Sequence, residues 1–205
     1  MKSSTISRRN RGGRLPAEQI TSYATAVRYL QGITNYERRR LVRYDEDAFK
    51  LDRMRHLMEV LGDPQDQVRM VHVAGTVGKG STVSMIASML AGCGYAVGQY
   101  TSPHLVEIRE RISINGRPVS KPEFGQLVRR VAEAAESIDL QATFFEVTTA
   151  AAFLHFMNQA VDVAVIEVGL GGRLDSTNVI TPEVSVITEI GYDHVELLGP
   201  TLADI

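Results

Sequence analysis

Apolar residues recur along this chain at two periods, and the two alternate. Ile20, Tyr23, Ala24, Val27 and Leu30 form one stripe at helical spacing and predict a helix over residues 17–30. Leu51, Met54, Leu57, Met58 and Leu61 predict a second helix over 47–61, stopped by Gly62-Asp63-Pro64. A polar, Arg-rich connection over 33–44 separates them. Val71-His72-Val73 is a short β-branched run, and Val83, Ile86, Ala87 and Leu90 then return to helical spacing. Residues 95–100 and 111–114 read as strands, the second followed by an Asn115-Gly116 turn. Ser120 opens a helix with the stripe Phe124, Leu127, Val128 and Val131, and a capping box to Glu123 is expected. Residues 143–157 are apolar on most of their surface and predict a buried helix. VDVAVIEV (161–168) and VSVITEI (184–190) are strongly apolar runs, the pattern of mid-sheet strands covered on both faces. Strands alternating with helices predict an α/β fold with a mostly parallel sheet.

The turn between the 71–73 strand and its helix reads Gly75-Thr76-Val77-Gly78-Lys79-Gly80-Ser81. Strand, glycine loop and helix together make a phosphate-binding loop: backbone N–H groups and the positive helix end face an anion, and Lys79 neutralises it. The match to G-x-x-x-x-G-K-[ST] is incomplete. Val73 stands in the first glycine position and Gly80 in that of the metal-binding hydroxyl, so a hydroxyl for Mg²⁺ must come from Ser81 or from elsewhere. Ser102, Glu167 and His194 each follow or end a predicted strand, which places them on the sheet edge that carries the loop. Glu167 ends an apolar strand, where Mg²⁺ would satisfy a carboxylate that burial alone would penalise. The run Gly169-Leu170-Gly171-Gly172 with Arg173, Asp175 and Asn178 offers a flexible, polar loop at the same edge. Phe144 and Phe145 read as core residues, and Glu146, in or beside a helix, is a poorer metal ligand than Glu167.

Composition narrows the picture in a few places. At 205 residues and 44% hydrophobic, the chain can bury one full core. Its net charge of −2 speaks neither for nor against an anionic partner. Residues 1–43 hold ten Lys/Arg against two Asp/Glu, and residues 1–16 are expected to form a disordered, solvated tail; no nucleic-acid partner is expected. Lone Cys93 excludes an internal disulfide and fits a reducing, cytoplasmic setting. No apolar run reaches the roughly 18 residues that span a bilayer, so no membrane partner is expected.

GTVGKGS, YTSPHL with ERISING, FFEVTTAAAF, VIEVGLGGRLDSTN and TEIGYDH, in this order and spacing, closely resemble the folylpolyglutamate synthase and dihydrofolate synthase branch of the Mur ligase family. The resemblance runs from about Val71 to Ile205 and extends to the two N-terminal helices, implying an ATP-binding domain over 17–205. It implies that Gly75, Thr76, Val77, Gly78, Lys79, Gly80 and Ser81 hold the phosphates of ATP. It also implies that Ser102, Glu167 and His194 hold Mg²⁺, with Lys79, Glu167 and His194 the catalytic set. The segments Thr143, Phe144, Phe145, Glu146 and Leu174, Asp175, Ser176 resemble those that contact the pterin of dihydropteroate. The reaction implied is ligation of L-glutamate to dihydropteroate or a reduced folate through an acyl phosphate, by a monomer at full length. Members usually have Asn where this chain has Val77, and they continue past its last residue into a glutamate-binding domain. The 205 residues alone are therefore expected to bind ATP weakly and to form no amide. Ligation of an amino acid to a UDP-linked cell-wall peptide, or non-catalytic nucleotide binding, are the alternatives.

Overall fold

The computed structural model describes residues 15–36 and 51–205. The N-terminal tail up to residue 14, most of the Arg-rich connection and the first turn of the predicted 47–61 helix lie outside the described residues.

Six strands form one sheet: β1 (Met70–Ala74), β2 (Val97–Tyr100), β3 (Ile112–Ile114), β4 (Arg117–Pro118), β5 (Val163–Glu167) and β6 (Val184–Ile187). Their order is β4-β3-β2-β5-β1-β6. β2, β5, β1 and β6 are parallel; β3 and β4 add an antiparallel hairpin at one side, closed by Asn115 and Gly116 in the left-handed region. Val73 pairs with Glu167, and Tyr100 pairs with Ile166. This register brings the carboxyl ends of β1, β2 and β5 side by side, so three of the chain's polar motifs share one edge.

The helices are α1 (Tyr23–Gly32), α2 (Leu51–Leu61), α3 (Lys79–Gly92), α4 (Lys121–Ser137), α5 (Phe144–Asn158) and the single turn α6 (Val195–Leu198). No helix among the described residues is long and apolar enough to cross a membrane. One sheet face carries Met70, Ala164 and Ile166 under α1, α2, α4 and α5; the other carries Val71, Val73 and Val165 under α3. The alternation follows from the two-residue period of a strand. α5 is buried on nearly every side, as its composition predicts.

Three expectations are corrected. The predicted 17–30 helix is broken into a 3₁₀ turn, Ala17–Gln19, and α1, because Ser22 caps α1 in a capping box with Thr25. The expected box at Ser120 is half made: Ser120 Oγ accepts from Glu123 N at 3.3 Å. The Glu123 carboxylate turns instead to α5, where it accepts from Gln159 Nε2 at 2.8 Å and stands 3.1 Å from His155 Nδ1. Finally, the 184–190 run is not mid-sheet. Among the described residues β6 pairs with β1 alone, and Val184 and Ile187 are 52% and 72% exposed. A strongly apolar run reports that a strand forms and cannot report what covers it.

Helix and sheet meet most closely at Gly98 of β2, where a Cβ would stand 2.7 Å from the Phe156 ring of α5. Gly98→Ala is therefore expected to destabilise the chain by about 1–3 kcal/mol, the cost of overpacking a filled core. The urea midpoint should fall while the slope of the transition stays unchanged.

Candidate active site

The phosphate loop leaves β1 at Ala74 and turns into α3 at Lys79. Gly75 has φ +135°, and a Cβ there would overlap the Thr188 hydroxyl; Gly78, with φ +85°, caps α3. Only glycine holds both positions without strain. The first half of the loop is stitched to the segment after β6: Thr76 N and Val77 N donate to Glu189 O at 2.9 and 3.3 Å. Thr76 Oγ1 donates to Gly191 O and lies 3.0 Å from Gly191 N, which donates back to it. The second half faces forward. The first bond of α3 runs from Thr82 N to Gly78 O, so the amides of Lys79, Gly80 and Ser81 stand ahead of it at the positive end of a 14-residue helix. Lys79 Nζ folds over the loop and donates to Gly75 O at 2.8 Å.

Glu167, the last residue of β5, is buried beside this turn. Its Oε2 accepts from Ser102 N at 3.1 Å, and a Cβ on Gly80 would lie 3.4 Å from the same oxygen. Gly80 thus lets the first turn of α3 rest against the carboxylate. Burial raises the Glu167 pKa, and the Ser102 amide and the Lys79 and Arg111 charges oppose that rise. Arg111 is a functional candidate that the sequence reading passed over. Its side chain is almost wholly buried, donates from Nε to His104 Nδ1 at 2.9 Å and lies 5.0 Å over the Phe144 ring. The available signal was a cation set between Ile108 and Ile112 on a short apolar strand edge.

A cleft of about 250 Å³ opens between the phosphate loop and the glycine loop, with Thr76, Lys79, Gly169, Gly171 and His194 on its walls. His194, at φ +50°, caps α6, and its side chain is 53% exposed, with Nε2 3.7 Å from Asp193 Oδ2. Ser102 and Glu167 do not line this cleft. Of the expected metal trio, Ser102 and Glu167 meet through the Ser102 amide, and His194 stands on the cleft wall with Lys79. Among the described residues, no three His, Cys, Asp or Glu side chains gather as a metal centre.

The two segments expected at the pterin are held by internal bonds. Thr143 and Glu146 form a complete capping box on α5, and Arg53 of α2 adds a bond to Glu146 Oε1 at 3.2 Å. Phe144 is buried, whereas half-buried Phe145 fills the space where a Gly169 Cβ would go. Asp175 is buried; its Oδ2 accepts from Gly169 N and Leu170 N at 3.1 and 2.9 Å, and its Oδ1 from Thr177 N at 3.0 Å and from the Thr177 hydroxyl. Burial pushes the Asp175 pKa up, and these bonds pull it back. Leu174 and Ser176 flank it half-buried.

The geometry has counterparts among known proteins. The Mur ligase middle domain model matches residues 73–205. The chain is 49% identical over 160 residues to the dihydrofolate synthase/folylpolyglutamate synthase of Bacillus subtilis (strain 168), covering 76% of this chain and 37% of that protein. It is 47% identical over 154 residues to the folylpolyglutamate synthase of Lacticaseibacillus casei, covering 73% of this chain and 36% of that one. A solved FPGS–AMPPCP–folate complex superposes with a TM-score of 0.80 at 42% identity, over 89% of this chain and 43% of its own. The chain thus spans about two fifths of the length of these relatives. With the sheet, the phosphate loop and the family model in agreement over residues 73–205, this chain belongs to the Mur ligase middle-domain family.

Proposed function

We propose that the chain supplies the ATP- and Mg²⁺-binding part of a cytoplasmic ligase that joins L-glutamate to dihydropteroate or a reduced folate. The observation that carries this reading is the pairing of a forward-facing helix end at Lys79–Ser81 with the buried Glu167 carboxylate against its first turn. The names of the relatives and the AMPPCP and folate of the solved complex supply the substrate classes.

In the proposed reaction, the substrate carboxylate attacks the terminal phosphorus of ATP, releasing ADP and leaving an acyl phosphate. The glutamate amine then attacks the acyl carbon, phosphate departs, and an amide forms. Such chemistry asks a protein mainly for positioning and charge neutralisation. The amides of Lys79, Gly80 and Ser81 hold phosphate oxygens, and Lys79 Nζ exchanges the Gly75 carbonyl for them. Mg²⁺, when bound, neutralises charge on the phosphates. Its preference for oxygen ligands fits Ser102 Oγ and the Glu167 carboxylate, which supplies the hydroxyl that Gly80 cannot. His194, a nitrogen donor across the cleft, suits a second cation held with the phosphates better than the Ser102–Glu167 site. Phe145, Leu174 and Ser176 are the residues of the two pterin segments whose half-buried side chains are left to meet the acid substrate.

Lys79→Ala is expected to weaken MgATP binding by about 1.5–3 kcal/mol, the scale of a hydrogen bond to a charged group, in titration calorimetry. Equal affinity would remove the phosphate-loop assignment. Dihydropteroate or a reduced folate should bind the chain in the presence of a non-hydrolysable ATP analogue, and a UDP-linked peptide should not; the reverse preference would move the reading to cell-wall chemistry.

Glu167→Gln separates function from stability. A carboxyl whose folded pKa is raised loses stability as pH climbs through the unfolded value and then the folded one. Below that window both states are protonated and the variant should match wild type. Above it, the variant should melt at a higher temperature than wild type. The same variant should lose the Mg²⁺-dependent part of its ATP affinity.

A further inference from the structure

A buried polar chain runs beneath the cleft from the central strand to the glycine loop. His72 of β1 places Nε2 2.8 Å from Thr177 Oγ1, and that hydroxyl donates to Asp175 Oδ1. Asp175 in turn holds the amides of Gly169 and Leu170. All three side chains are buried: His72 is 8% exposed, Asp175 6% and Thr177 0%. Nothing in the reaction proposed above uses His72 or Thr177.

With Asp175 ionised, the proton count along this chain has one solution. Asp175 receives two donors on each oxygen, which fills the four acceptor sites of an ionised carboxylate. The single Thr177 hydroxyl proton is committed to Asp175, so Thr177 Oγ1 can only accept from the imidazole. The proton must therefore sit on His72 Nε2. Desolvation by burial lowers the His72 pKa to about 4, which keeps the ring neutral and Nδ1 bare. An apolar residue at this position would leave a buried hydroxyl oxygen without its donor.

The loop needs such an anchor. Three of its residues, Gly169, Gly171 and Gly172, are glycine, so its own backbone preferences do not set its shape. Gly169 and Gly171 stand on the cleft wall facing Thr76 and Lys79, which are carried by the loop at the end of His72's own strand. One strand thus governs both walls, one through its covalent continuation and the other through the imidazole.

We propose that His72 is a positioning residue: through Thr177 and Asp175 it holds the glycine-loop wall of the cleft against the phosphate-loop wall. The inference rests on the proposed ATP reading only for what the cleft binds. It also assigns Asp175 to shaping the loop, since a substrate donor would have to displace one of the four it already accepts.

The test uses the 205-residue chain, with His72→Leu, His72→Gln and Thr177→Val. Long-range ¹H–¹⁵N spectra at pH 6 should show wild-type His72 neutral with the proton on Nε2; a proton on Nδ1, or a charged ring, overturns the proposal. Hydrogen exchange at the Gly169 and Leu170 amides should quicken at least about tenfold in His72→Leu and Thr177→Val relative to α4 amides, the local opening expected when a buried hydrogen bond is lost. His72→Gln, whose amide N–H can replace Nε2–H, should return those rates to within about threefold of wild type. Unchanged exchange in both disruptive variants, or no rescue by Gln, overturns it. If His72→Leu does not fold, the wild-type tautomer and the Thr177→Val exchange rates decide. MgATP affinity should fall in the disruptive variants and recover in His72→Gln; looser amides with unchanged affinity would reduce His72 to a structural role and overturn the positioning claim. A wild-type chain that binds no MgATP would instead defeat the ATP reading, and the tautomer and exchange results would still stand or fall on their own.

Discussion

A carboxylate buried at the end of a central strand sets the terms for this edge of the molecule. Glu167 ends β5, flanked by β1 and β2, and an ionised group there needs either donors or a cation. One donor is the Ser102 amide, which draws the loop after β2 inward. Further help comes from the Lys79 and Arg111 charges, which place a cation on either side of the strand end. The helix that carries Lys79 approaches the carboxylate at Gly80, where a Cβ would make ordinary van der Waals contact with it.

Stability and function pull against each other at this point. The desolvation that raises the Glu167 pKa is a cost to the fold, and it is also what makes a divalent cation worth binding. Two other buried carboxylates are satisfied internally. Glu146 closes a capping box and takes Arg53, and Asp175 takes four donors from the glycine loop and the turn that follows it. The contrast separates carboxylates that shape the scaffold from the one left with capacity for a ligand.

That contrast explains what could be read from the sequence. The strand–loop–helix unit, the buried α5 and the parallel sheet were legible because they depend on local period and glycine placement. Glu167 was legible because an acidic residue at the end of VDVAVIEV has few other uses. Partnerships were not legible. Glu123 turns to His155 and Gln159 in place of its own helix end, and nothing within the helix could signal partners more than thirty positions away. The exposure of β6 depends on what packs against it, which an apolar run does not encode. His194 sits in the left-handed turn that caps α6 and lines the cleft, and no periodicity predicts such a turn.

Val77 stands at the join between the phosphate loop and the segment after β6. Its backbone N–H is committed to Glu189 O, and the two residues form an isolated antiparallel bridge between the phosphate loop and the segment after β6. A β-branched residue suits the extended backbone that such a bridge requires. Its side chain is 61% exposed, so no core contact depends on it. Val77 therefore holds the loop's first half against Glu189 through its backbone, while the amides from Lys79 onward stand ahead of α3. The loop is divided into a half that β6 positions and a half that α3 polarises, and the side chain at residue 77 belongs to the first.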